Sequence, residues 1–265
     1  MTAILLSFVI ALLLNGAFFA VAAARRTDVV TDLSYSLTFA LLAVVLLFTG
    51  AREPVQLVAS LLVVVWAVRL GGYLFRRILR MKVDHRFDGI REDPLRFARF
   101  WLLQAITVAV VMLPVSYLLD RAHPSAFGAW AVVGAAVWLV GLLIEAVADA
   151  QKSAFKAKEE NRGRFIASGL WRYSRHPNYF GEMLVWWGLF VYAAPVLHGA
   201  AYAVVAGPVF ITLLLLFVSG IPPLERGADE RYGDDPAYRE YKRRTSILVP
   251  LPPRSQSPVA RFEKR

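Results

Sequence analysis

The chain has 265 residues, 57% hydrophobic and 19% charged, with a mean hydropathy of +0.50 and a formal charge of +10. Soluble domains are about 45–50% apolar and about a quarter charged; here the charges are bunched between long apolar runs, which is a membrane pattern. With no cysteine there is no disulfide framework, thiolate metal site or cysteine nucleophile, and His85, His123, His176 and His198 lie too far apart for a helical metal pair.

A helix needs about 20 apolar residues to cross a bilayer. The first such run, Ile4–Ala24, ends in small residues like a signal peptide. It lacks a basic leader and is followed by Arg25 and Arg26, so a retained helix is expected. Tyr35–Gly50 and Val55–Phe75 follow, the second of them carrying Arg69. A basic connection comes next, with Arg76, Arg77, Arg80, Lys82, Arg86, Arg91 and Arg96. Phe97–Leu119 and Ala126–Ala148 are the fourth and fifth spans, and a second basic connection runs from Lys152 to Arg175. Tyr179–Leu197 and Ala200–Gly220 complete seven spans. Beyond Pro222 the chain turns polar; Asp229–Lys242 has the pattern of an amphipathic surface helix, and residues 251–265 that of a disordered tail.

Basic loops stay in the cytoplasm, and one orientation accounts for all of them: amino terminus outside, tail inside. The same loop charge explains the net +10 without nucleic acid, for which no binding motif is present. The expected fold is therefore all-α: a single seven-helix membrane domain over residues 1–250, placed in the bacterial inner membrane.

Ionisable groups inside a span are costly and point to function. The clearest are Arg69, Glu145, Asp149 and Glu182. Glu145, Asp149 and Lys152 recur at i, i+4 and i+7 and share one helix face, and Asn178, Glu182 and Trp186 do so at i, i+4 and i+8. A structural ion-pair cluster would have the same pattern. The densest segment is Gly169–Glu182, reading GLWRYSRHPNYFGE. Pro177 suits the first position of a helix. A helix amino terminus flanked by Arg164, Arg172 and Arg175 is an anion site suited to phosphate, with His176 set beside it. Trp171, Tyr173, Tyr179 and Trp186 are able to wall a flat ring, or to form an interfacial aromatic belt.

At this segment the chain resembles the superfamily that joins steroid 5-alpha-reductase-type membrane reductases to isoprenylcysteine carboxyl methyltransferases, and within it the DUF1295 family. The resemblance is carried by Asp149-Ala150-Gln151-Lys152, Asn161–Phe165, Gly169-Leu170-Trp171, Arg175–Glu182, Trp186-Trp187-Gly188 and Tyr238–Lys242, which includes Tyr241. Trp66–Gly71, with Arg69, is a further match. The resemblance implies a cytoplasm-facing NADPH site over about residues 140–250, with Asp149, Arg164, Asn178 and Glu182 at cofactor-contacting positions and Glu145 where the reductases carry Asn. It also implies a lipid-accessible cavity for a conjugated enone. Here the chain departs from the pattern. Thr31-Asp32 stands at the reductases' Gln-Glu pair and Trp66 at their tyrosine, which leaves Asp32, Tyr35 or Tyr73 to donate the proton.

The expected function is NADPH-dependent reduction of a C=C bond in a hydrophobic, lipid-like or steroid-like small molecule that enters from the bilayer. An S-adenosylmethionine-dependent methyltransferase is the first alternative, because Arg-His-Pro followed by an aromatic and Gly also occurs on that side. The paired Glu-Glu of those enzymes is missing, with Glu225 and Glu230 separated. A non-enzymatic transporter or assembly factor is the second alternative.

Overall fold

The computed structural model describes residues 2–25, 27–81, 89–124 and 127–255. Arg26, Lys82, His85, Arg86 and the tail from residue 256 lie outside the described residues. The helices are α1 (Thr2–Arg25), α2 (Thr31–Thr49), α3 (Pro54–Met81), α4 (Pro94–Val111), α5 (Leu113–Leu119), α6 (Ala129–Ala157), α7 (Pro177–Ala193), α8 (Ala206–Leu213), α9 (Ile221–Tyr232) and α10 (Pro236–Arg244). Among the described residues, six helical stretches are long and apolar enough to cross a bilayer: Thr2–Arg25, Thr31–Thr49, Pro54–Leu79, Pro94–Val111, Ala129–Ala157 and Gly199–Tyr232. The chain is an all-α polytopic membrane protein. The expected sixth span corresponds to α7, whose 17 residues fall just short of that length.

The chain divides into two compact units, one of Met1–Trp138 with Trp186–Ile211 and the other of Leu139–Val185 with Thr212–Arg265. In the first unit α1 packs on α2 and α4, and α2 on α3. The contacts between α1, α2 and α4 hold a buried polar network. Gln104 donates to Asn15 at 2.8 Å and to Ser34 at 2.9 Å, and Asn15 donates to the Ala11 carbonyl at 2.8 Å. Between lipid-embedded helices there is little hydrophobic drive to associate, so hydrogen bonds and close backbone packing take its place. At Gly188 a methyl group would lie 2.6 Å from the Trp138 amide nitrogen, so only glycine allows this backbone approach. A second core gathers Val55, Ala59, Leu118 and Tyr192, whose hydroxyl donates to the Val55 carbonyl at 3.0 Å.

The span expected over Phe97–Leu119 is interrupted. α4 stops at Val111 and α5 restarts at Leu113, with Pro114 lacking the N–H that a continuous helix needs. Gln56, itself buried, binds the carbonyls around the end of α5, donating to Leu118 at 3.0 Å and Arg121 at 2.9 Å. The last apolar run is also irregular. It opens as a 3-10 helix over Gly199–Val205, and within the second unit it includes one π turn over Leu214–Val218.

In the second unit α6 and α7 again meet through glycine. A methyl group at Gly181 would lie 2.6 Å from the Glu145 amide nitrogen, and one at Gly141 2.7 Å from the Val185 nitrogen. The single surface helix expected over Asp229–Lys242 falls instead on the end of α9 and most of α10. Asp235 caps α10 by accepting from Ala237 N–H at 2.8 Å, and Pro236 takes the first helical position. After α10 the chain runs back along residues 173–175. Arg175 N–H donates to the Ser246 carbonyl at 2.8 Å, and Leu251 N–H to the Tyr173 carbonyl at 3.0 Å.

Candidate functional site

The second unit builds its polar cluster on the segment between α6 and α7. Gly169 has φ +59, and a side chain there would overlap Gln151 at 2.5 Å. That clearance lets Leu170 N–H donate to Gln151 Oε1 at 2.9 Å. Trp171 is buried, and its indole N–H donates to the Ala148 carbonyl at 3.0 Å. The Lys152 ammonium lies 4.4 Å above the same ring, a cation–π contact. Tyr241 ties α10 to this segment, its hydroxyl donating to the Trp171 carbonyl at 2.7 Å while its ring stacks on Phe165 at 5.4 Å. Burial pushes the Tyr241 hydroxyl well above its ordinary value, so it stays a donor.

Arg175 and His176 converge on Glu225 of α9. Arg175 Nη1 donates to Glu225 Oε2 at 2.5 Å, and His176 Nε2 lies 2.8 Å from Oε1. Lys242 approaches Oε2 at 3.3 Å and also binds Asp229 at 2.5 Å. Tyr238 donates to Asp229 at 3.1 Å, and burial together with that carboxylate pushes its hydroxyl up to about 12. His176 is 5% exposed and stacks on Tyr179 with rings 5.8 Å apart and 10° from parallel. Burial holds the imidazole below its ordinary value, and the Glu225 contact only partly offsets it, so His176 is neutral at pH 7. A carboxylate can only accept, so His176 Nε2 carries the hydrogen. Ser174 sets the backbone here, donating to the Leu248 carbonyl at 2.6 Å and accepting from His176 N–H at 3.1 Å.

Of the residues singled out in the sequence, Glu145, Asp149, Lys152, Arg164, Arg172, Arg175, His176, Asn178, Tyr179, Glu182 and Tyr241 belong to this unit. Glu145, Asp149 and Glu182 are buried, Asn178 and Tyr179 half-buried, and Arg164 and Arg172 exposed. Arg164 is anchored through its backbone, its carbonyl accepting from the Tyr232 hydroxyl at 3.2 Å. The structure brings Lys152, Arg175, His176, Tyr179 and Tyr241 into one cluster. Among the described residues no group of three or more His, Asp or Glu side chains is arranged to hold a metal ion.

Asp32, Tyr35, Trp66, Arg69, Tyr73 and Trp186 belong to the first unit. Trp66 and Trp186 are buried and meet edge-to-face at 4.9 Å, with Phe39 against both and Tyr35 against Phe39 at 5.0 Å. Asp32 accepts from Arg77 at 2.9 Å. That oxygen is occupied by a guanidinium, which counts against Asp32 as a proton donor. Arg69 and Tyr73 are half-buried on α3.

Glu225 is the member of this cluster that sequence reasoning left out of the site. It lies 49 residues from His176, and nothing local marks it as the partner of the Arg-His pair. Gln151, Ser174 and Lys242 were missed as positioning groups for the same reason.

The fold and cluster define an all-α membrane protein with a buried Arg-His-Glu site. The chain belongs to the DUF1295 family, a family of unknown function whose sequence profile matches residues 18–245. An uncharacterized protein of Schizosaccharomyces pombe is 24% identical over 226 residues, 73% of this chain and 63% of that one. A 3-oxo-5-alpha-steroid 4-dehydrogenase 1 of Mus musculus is 26% identical over 196 residues, 70% of this chain and 71% of the relative. Methanethiol S-methyltransferase 1 of Bradyrhizobium diazoefficiens is 36% identical over 93 residues, 35% of this chain and 28% of that enzyme. The chain thus spans less than two thirds of the yeast protein and about a quarter of the methyltransferase. No solved structure matches. The distant relatives include a reductase and a methyltransferase.

Proposed function

We propose that the chain is an NADPH-dependent reductase of a C=C bond in a hydrophobic, lipid-like or steroid-like molecule. The observation that carries this reading is the extent of the likeness: the match to the mouse steroid dehydrogenase covers 70% of this chain and 71% of that enzyme. The methyltransferase match is closer in identity but confined to 93 residues. That match keeps an S-adenosylmethionine-dependent methyltransferase as the second reading.

The second unit fits a dinucleotide phosphate in donor chemistry. Exposed Arg164 and Arg172 would meet phosphate. The α7 amino terminus at Pro177, with Asn178, would present backbone N–H groups to a further anion. Buried His176 has an Nδ1 atom with no hydrogen-bond partner among the described residues. Lys152 would add a cation and Tyr179 and Tyr241 aromatic surface, while the carboxylates Glu145, Asp149 and Glu182 would accept from ribose hydroxyls or ring N–H groups. NADPH, when bound, supplies the hydride.

The chain's own part is to bind and orient, to exclude water, and to deliver the proton. Trp66 has no acidic proton to give and sits in a closed aromatic cluster, and Asp32 is engaged by Arg77. Tyr35, contiguous with that cluster through Phe39, is the hydrogen-bond and proton donor of this proposal. Tyr73 is its alternate. In the same reading α7 crosses the bilayer as a seventh span, since 17 residues reach about 26 Å at about 1.5 Å per residue. The basic loops support an orientation with the cofactor side facing the cytoplasm, in a bacterial inner membrane, with the substrate entering from the bilayer.

Thermal stabilisation of the purified chain tests the reading. NADPH at a hundred times its dissociation constant adds about 2.7 kcal/mol, whereas S-adenosylmethionine adds none. Stabilisation by S-adenosylmethionine alone would overturn it. Arg164→Ala should weaken NADPH more than NADH if that side chain meets the 2′-phosphate, and an equal loss for both would remove the assignment.

A further inference from the structure

We propose that Nδ1 of His176 is a binding point for ligand: it accepts a hydrogen bond from an N–H group, carboxamide or aromatic amine, in a tautomer that Glu225 imposes. The assignment rests on the cofactor reading of this cluster and adds to it which atom recognises which kind of group.

The geometry starts at Glu225. Its Oε2 accepts from Arg175 at 2.5 Å and from Lys242 at 3.3 Å, two cations that hold it as a carboxylate. Its Oε1 lies 2.8 Å from His176 Nε2 and has no proton to offer. The imidazole hydrogen is therefore on Nε2, and Nδ1 presents a bare lone pair. That atom is buried and meets no donor among the described residues. Leaving a buried acceptor unsatisfied costs about 1–3 kcal/mol, so a group retained there is best explained by a partner it meets in use. The ring has little freedom to seek one by turning. Tyr179 stacks on one face at 5.8 Å, Glu225 fixes the far nitrogen, and Ser174 holds the His176 backbone N–H at 3.1 Å.

The groups charged nearby are Glu225, Arg175 and Lys152, and the two cations disfavour a second proton on the ring. A cationic ligand group is thus a poor match and a neutral N–H donor a good one. A nicotinamide carboxamide and an adenine amino group both qualify, and the test separates them.

Two variants divide the two nitrogens. His176→Gln places its amide nitrogen near Nε2, keeping the Glu225 bond and removing the acceptor. His176→Asn places its amide oxygen near Nδ1, keeping the acceptor and losing Glu225. With the full chain in detergent, His176→Gln should keep its unliganded melting temperature but bind NADPH about tenfold more weakly, the loss of about one hydrogen bond. His176→Asn should melt lower yet bind within about threefold of the unsubstituted chain. Equal loss in both, or undiminished binding by His176→Gln, overturns the proposal. The 3-acetylpyridine analogue lacks the carboxamide N–H and the hypoxanthine analogue the adenine amine. The analogue that weakens the unsubstituted chain but not His176→Gln names the donor; if neither does so, the N–H assignment falls. If the unsubstituted chain binds S-adenosylmethionine and not NADPH, the reductase reading falls. The Gln-against-Asn contrast, read with that ligand, then upholds or overturns the role of Nδ1 on its own.

Discussion

Glu225 is where charge balance is most exposed to substitution. One carboxylate, 16% exposed, faces Arg175, His176 and Lys242, so removing it leaves a largely buried guanidinium without its partner. Glu225→Ala should lower stability by about 3 kcal/mol, the usual cost of breaking a buried pair from one side. Glu225→Gln, which keeps the shape and one acceptor, should cost less, and thermal melting of the two variants checks the order. His176 gives a pH signature. Its folded-state value lies below the ordinary 6.5, so the unfolded chain takes up the proton first as pH falls. Its stabilising contribution is complete above about pH 6.5 and is lost as pH drops from there through the lowered value. The fall in melting temperature below pH 6.5 should flatten in His176→Gln, and an unchanged slope would contradict the assignment.

At the scale of elements, glycine decides which helices can touch. Gly181 approaches Glu145 so closely that Gly181→Ala forces α6 and α7 apart, and a loss of about 3 kcal/mol or failure to assemble is expected. Gly16 on α1 has open space around the same position, so Gly16→Ala should be neutral or stabilising by up to about 1 kcal/mol. Comparing yield and melting temperature of the two variants separates packing from propensity. Helix positions were legible in the sequence because apolar runs long enough to span a bilayer have few other uses. The break at Pro114 and the restart at Pro236 follow from proline's missing N–H, which hydropathy does not register. The 3-10 opening at Gly199–Val205 and the π turn at Leu214–Val218 have no such marker, since apolar composition is shared by all three helix types. In the site, Arg175 and His176 stood out because they adjoin Pro177 in one dense segment. Glu225 did not, because its role exists only once α9 folds back onto them.

For the whole molecule, the absence of cysteine provides a clean background for topology mapping. A single cysteine replacing His123, between α5 and α6, should react with an impermeant thiol reagent from outside intact cells. One replacing Ser168, beside the basic segment, should react only after permeabilisation. The reverse pattern would invert the proposed orientation and put the cofactor cluster on the wrong side for cytoplasmic NADPH. The singled-out residues divide between the two units. The proton-donor candidates Tyr35 and Tyr73, with Asp32 and Trp66 beside them in sequence position, belong to the first, while the charged cluster around Glu225 belongs to the second. Tyr35→Phe should therefore abolish reduction while leaving NADPH affinity unchanged, and Arg164→Ala should weaken affinity first.

The central claim is the cofactor, and equilibrium binding tests it most directly. Titrating the purified full chain with NADPH while following energy transfer from tryptophan to the reduced nicotinamide should give saturable binding, weakened by Arg164→Ala and by His176→Gln. S-adenosylmethionine should not compete. Saturable binding of S-adenosylmethionine with no response to NADPH would contradict the reductase reading and favour the methyltransferase one.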